Sequence, residues 1–96
     1  MGYQFDIEYD VADCNGTDVV EYFISAHDTD TGLVLRHMTT FRSHDLFIDQ
    51  QTGDEVLWAR PAGDAETEAR VLLSAIMARG SINLQWWEEY VPAAVS

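Results

Sequence analysis

The sequence of 96 residues predicts an α+β domain, an antiparallel sheet of five to six strands with one helix, at about 64–79, packed on one face. Three observations predict it. Apolar and polar residues alternate over residues 3–10, the period of a half-buried strand. Short turn signals rich in Gly, Asn and Asp recur through the first sixty residues, which joins neighbouring strands antiparallel. After Pro61-Ala62-Gly63 the apolar spacing changes to that of a helix. Hydrophobic content of 47%, with 11% aromatic, supplies a core for a single domain over residues 1–96 and is too high for disorder.

Tyr3, Phe5, Ile7 and Tyr9 alternate with Gln4, Asp6, Glu8 and Asp10, so the first strand has one aromatic face and one carboxylate face. Asp13 to Thr17, with Asn15-Gly16 at its centre, is a hairpin turn. Asp18 to His27 is β-branched and aromatic on both faces, as a central strand requires. Asp28 to Gly32 is the next turn and Leu33 to Arg42 the third strand, with a break at Ser43 to Asp45. Leu46 to Gln50 and Glu55 to Arg60 flank a hairpin turn at Gln51 to Asp54. From Asp64, a candidate N-cap, residues Ala65, Ala69, Leu72, Leu73, Ile76 and Met77 fall on one helical stripe. Glu66 and Glu68 suit its first turns, Arg79 its last, and Gly80 its C-terminal stop. Ile82, Leu84 and Trp86 alternate as a last strand, in preference to a short helix running through Trp87 and Tyr90, and Pro92 ends either version. Trp86 is expected in the core, with Trp87 covered by Val91 to Val95; an interface between two copies of the chain is the alternative place for a surface Trp.

The charge is large and lopsided. The formal net charge is −12, there is no lysine, and the first cation is Arg36, after eight carboxylates. Such a field opposes nucleic acid and anionic membranes and attracts basic protein surfaces. The N-terminal stretch lacks the basic and apolar regions of a signal peptide, no run approaches a membrane span, and Cys14 has no second cysteine to pair with, so a cytoplasmic protein is expected.

Asp6, Glu8 and Asp10 should project from one face about 7 Å apart, because a strand rises about 3.3 Å per residue. That repeat is similar to the phosphate spacing along an extended nucleic-acid strand. Asp13, Asp18, Glu21, Asp28 and Asp30 could extend the field, and these eight carboxylates form the candidate partner-binding set. A merely solvated face, or the acidic surface of a halophile, is the plainer explanation, but solvated faces ordinarily mix both signs.

Other chemistries fit less well. Asp28-Thr29-Asp30-Thr31-Gly32 opens like a calcium loop, but its Gly comes one position early and Thr39 stands at the twelfth position, so no metal site is assigned. His27, His37 and His44 match no zinc spacing, and Cys14 stands beside Asp13, which disfavours a thiolate. No catalytic residues and no cofactor are assigned.

In size, charge and sheet-borne carboxylates the chain is similar to the small nucleic-acid-mimicking proteins that phages and mobile elements use against restriction or CRISPR machinery. The expected activity is therefore a non-catalytic inhibitor occupying the basic groove of a nucleic-acid-handling protein or complex, without binding nucleic acid or membrane itself. The alternatives are an immunity protein or antitoxin against a basic nuclease toxin, and a small ligand-binding domain.

Overall fold

The structure, a computed structural model, describes residues 2–91. It is an α+β arrangement, with a five-stranded antiparallel sheet, a separate two-stranded hairpin and one helix packed on the main sheet. The strands are β1 (Tyr3–Cys14), β2 (Thr17–Asp28), β3 (Val34–His37), β4 (Phe41–Arg42), β5 (His44–Ile48), β6 (Glu55–Ala59) and β7 (Trp87–Glu89), with α1 at Asp64–Arg79. Among the described residues the main sheet runs β1-β2-β3-β7, β4 also pairs with β2, and β5 pairs only with β6.

β1 and β2 form the frame. Their pairing runs without a bulge from Tyr3 opposite Asp28 to Cys14 opposite Thr17. The connecting Asn15-Gly16 turn has positive φ at both residues, 53° and 84°, as the tight hairpin turn that matches strand twist requires. The Asp13 carboxylate accepts the Gly16 N–H at 2.9 Å.

β2 is buried on both faces, as its sequence predicts. Ile24 and Ala26 turn toward the helix and join Leu35 and Trp87 in the core, with Phe5, Ile7, Leu72, Leu73, Ile76 and Ile82 packed around them. Val19, Phe23 and Ser25 are buried on the other face. Residues paired directly across antiparallel strands share a face. Phe5 and Ile7 therefore accompany Ala26 and Ile24 beneath the helix, while Asp6, Glu8 and Asp10 accompany Ser25, Phe23 and Glu21 on the opposite face.

Four local expectations change. The predicted strand from Leu33 to Arg42 is two strands, because the chain leaves the ladder at Met38 to Thr40. There the Thr39 N–H bonds the His37 imidazole Nδ1 (3.0 Å), while the Met38 N–H bonds the Trp86 carbonyl (2.9 Å). Only Ser43 of the predicted Ser43–Asp45 break is a break, and β5 begins at His44. The helix N-cap is Gly63 in the left-handed region (φ 86°) and not Asp64, which becomes the first helical residue, where its charge still favours the helix dipole. Gly80 (φ 70°) closes the helix as predicted, its N–H bonding the Ile76 carbonyl. Met77 is exposed and lies off the packed stripe.

The C-terminal segment is the largest change. Residues 84–86 form a short 3-10 turn, with the Asn83 side chain accepting the Gln85 N–H, and the strand begins only at Trp87. That shift exchanges the tryptophans: Trp87 is 7% exposed and in the core, whereas Trp86 is 51% exposed. The stops and cover assigned to Pro92 and to most of Val91–Val95 lie outside the described residues.

Ser43 is the pivot of the molecule. Its N–H donates to the Val20 carbonyl (2.8 Å), its Oγ accepts the Val20 N–H (2.9 Å), and its carbonyl accepts the Arg60 N–H (2.9 Å). The hydroxyl thus does the work of a backbone carbonyl in the sheet ladder, so the chain can turn off as the β5–β6 hairpin without orphaning Val20. A bidentate Arg60–Glu68 pair (2.6 and 3.0 Å) ties the foot of that hairpin to α1.

Candidate functional site

The β1 register determines the site. With no bulge, Asp6, Glu8 and Asp10 stay in line along the outermost strand, on the face away from the helix. Alternation separates successive carboxylates by about 7 Å along the strand. Asp6 and Asp10 are exposed and Glu8 half-buried.

The other five predicted carboxylates do not join this row as equals. Glu21 lies opposite Asp10 but is bridged by two cations: Arg36 Nη2 donates to its Oε1 at 2.6 Å, and Arg42 Nε to its Oε2 at 2.8 Å. Burial pushes its pKa up, but the hydrogen bonds and charges of Arg42 and Arg36 prevail and hold it below the ordinary value. Glu21 sits between buried Val19 and Phe23 on its face of β2, so its charge has to be compensated. The sequence carried that signal in an acid flanked at both i±2 positions by core residues. Asp13 and Asp18 face each other across the end of the β1–β2 hairpin, on the helix side of the sheet. Asp28 caps its turn: its carboxylate accepts the Asp30 N–H (2.9 Å), the main cause of its lowered pKa. Asp30 belongs to the same turn, at the far end of β1 from Asp13. The segment that opens like a calcium loop is therefore the β2–β3 hairpin turn.

The acids are backed by an aromatic layer that the sequence did not indicate. The Arg36 guanidinium lies over the Phe23 ring, 4.1 Å from its centroid, and the Tyr90 ring meets Phe23 edge-on at 5.3 Å. Burial first, then the carboxylates of Asp10 and Glu8, raise the pKa of the Tyr90 phenol. Tyr3, Tyr9 and Tyr22 share the helix-side face, away from the carboxylates, as the alternation in β1 requires. Tyr9 and Tyr22 pair there at 6.0 Å beyond the buried cluster.

Where the β5–β6 hairpin leans over this face, the two line a half-open cavity of about 530 Å3. Val19, Leu46 and Leu57 give it apolar walls, and Asp10, Arg42 and His44 supply polar groups. Cys14 also lines it. The hairpin's other face carries exposed Phe47 and Trp58, packed edge-on at 5.9 Å. Neither feature was legible as a site, because both depend on where Ser43 turns the chain.

The histidines are dispersed. His27 is exposed on β2, His44 Nδ1 lies 2.8 Å from Ser43 Oγ, and His37 is buried edge-on against Trp87 at 4.9 Å. Among the described residues, no three His, Cys, Asp or Glu side chains converge as a metal ligand set. No described helix is long and apolar enough to cross a membrane. No known protein family, curated protein or solved structure matches the chain.

His37 gives a pH dependence. Because Nδ1 accepts the Thr39 N–H, the neutral ring carries its proton on Nε2. Desolvation lowers its pKa from 6.5. The unfolded chain then binds the proton more tightly, so His37's contribution is complete above about pH 6.5 and lost as pH falls below it. Urea melts at pH 7.5 and 5.5 should show lower stability at pH 5.5, and H37Q, which keeps an acceptor but does not titrate, should lose most of that difference. An equal acid effect in H37Q would assign the sensitivity elsewhere.

Proposed function

We propose that this protein is a non-catalytic, acidic inhibitor of the anti-CRISPR or anti-restriction type. In this reading it acts in the cytoplasm of a cell invaded by a phage or mobile element. Its target is a basic nucleic-acid-binding groove of a defence complex. The observation that carries the reading is the bulge-free β1 register, which holds Asp6, Glu8 and Asp10 in line on an outer strand at about the spacing of backbone phosphates. Folding gains nothing from like charges so aligned, and a groove of Arg and Lys would neutralise them with charge-assisted hydrogen bonds. The net charge of −12 would speed the encounter and discourage nucleic acid from binding the inhibitor itself.

The test is competition. Added to a nucleic-acid-binding defence complex, the protein should displace short DNA or RNA from the groove. Its own affinity should fall steeply between low and moderate salt, since the Debye length is about 10 Å at 0.1 M. Binding unchanged up to 0.5 M salt, or binding that leaves the nucleic acid in place, contradicts the mimicry.

The cavity beneath the β5–β6 hairpin favours a second reading, a small ligand-binding module, since it joins apolar walls to a few polar groups. A small molecule that co-purifies with the protein and protects Cys14 from a thiol reagent would support that reading over inhibition.

A further inference from the structure

Among the described residues, β1 is the outer strand of the sheet and has one neighbour along its 12 residues. The direction of its free backbone groups follows from the pairing. Thr29 N–H donates to the Gly2 carbonyl, continuing the β1–β2 register by one pair. Even-numbered β1 residues therefore turn their N–H and C=O toward β2, and odd-numbered ones turn theirs away from the sheet. β2 agrees, since its even residues Val20 and Asp28 bond Ser43 and Leu33 on the far side. The open edge thus offers the peptide groups of Tyr3, Phe5, Ile7, Tyr9 and Val11, and no other described segment makes a backbone hydrogen bond to them. A long open edge is ordinarily blunted by Pro, charged side chains or a bulge. β1 has no Pro, Lys or bulge, and its charged side chains are all carboxylates.

Charge decides what can pair there. In a symmetric antiparallel pairing of two copies about Glu8, Asp6 of one would face Asp10 of the other, and Glu8 would face Glu8. Like charges directly opposite one another are destabilising, so the edge rejects its own copy. An extended segment with Arg or Lys at alternate positions is the complement. Its cations would meet Asp6, Glu8 and Asp10 on one face, and its remaining side chains would meet Tyr3, Phe5, Ile7, Tyr9 and Val11 on the other.

We propose that the open edge of β1 is a strand-addition site for an extended basic segment of the partner protein, which joins the sheet antiparallel to β1. The inference rests on the reading of the carboxylate row as a partner-binding surface and adds to it a backbone-paired mode of contact. In that mode, residues directly opposite Phe5, Ile7 and Tyr9 exchange both backbone hydrogen bonds with them and share their face. The apolar positions of the incoming strand would therefore point their N–H groups at β1, and its Arg positions would point theirs at solvent.

A capped peptide of alternating Arg and Val tests this, together with two twins, one N-methylated at the Val residues and one at the Arg residues. Measured by titration calorimetry at low salt, the parent and the Arg-methylated twin should bind alike. The Val-methylated twin should bind about tenfold more weakly or worse, having lost several backbone hydrogen bonds. Tyr9→Pro, which removes an outward N–H and leaves the β1–β2 ladder intact, should weaken the parent to a similar degree. The reverse methylation pattern supports the edge with a parallel strand. Equal binding by all three peptides overturns the edge and leaves the carboxylate reading standing, whereas binding by none overturns both. Dimerisation of the chain alone that Tyr9→Pro abolishes makes a second copy the occupant and overturns the choice of partner. The peptide comparison uses the unaltered protein, so it stands even if Tyr9→Pro does not fold.

Discussion

Trp87→Ala should destabilise the domain by about 3–5 kcal/mol, the range for truncating a buried aromatic that cannot be replaced by collapse of its surroundings. Trp87 fills the core beside Ile24, Ala26 and Leu35 and is packed against Phe5 (6.0 Å) and His37 (4.9 Å). It also starts β7, which among the described residues pairs only with β3, so its loss removes the anchor of an edge strand of three residues. Trp86→Ala, one residue earlier and half exposed, should change stability by less than about 0.5 kcal/mol. Denaturant melts of the two variants measure the difference, and near-equal losses would contradict the placement of the pair.

Reversing Asp6, Glu8 and Asp10 to Lys should abolish binding to the basic partner while leaving the fold intact or slightly more stable, since the three acids repel one another. Phe5→Ala or Ile7→Ala should instead cost about 2–5 kcal/mol of stability, as these side chains pack beneath the helix. Adjacent positions on one strand then answer different assays, binding for even numbers and melting for odd. If the triple reversal leaves partner binding unchanged, the row is a solvated face and the exposed Trp86 or the Phe47–Trp58 patch becomes the better contact candidate.

What was legible follows from the range of the interactions involved. The two-residue period of β1, the Asn15-Gly16 turn, the two-sided β2 and the helix with its Gly80 stop are local, and the structure contains each of them. The errors lie where a distant contact overrides local pattern. Ile82, Leu84 and Trp86 alternate like a strand, yet Met38 bonds the Trp86 carbonyl and Asn83 caps a tight turn, so pairing starts at Trp87. Asp64 looks like a cap, but the left-handed Gly63 precedes it. In the candidate site the line of Asp6, Glu8 and Asp10 was legible because it is a property of one strand. The two arginines on Glu21 were not, because 15 and 21 residues separate them from it. The cavity was hidden for the same reason.

The burial of β2 on both faces has a further consequence for the acids of its neighbour. Asp6 and Asp10 are exposed and Glu8 is only half-buried, so little packing of their own holds them in place; their address is inherited through the pairing. A slip of β1 by one residue would turn all three carboxylates under the helix and Phe5 and Ile7 into water. The misfolded register is thereby charged twice, once for stranded ions and once for exposed hydrocarbon. β2 cannot slip to follow, because Phe23 and Ile24 are both fully buried and would have to exchange environments. The core thus acts as a proofreader for the surface, rejecting chains in which the negative row faces the wrong way.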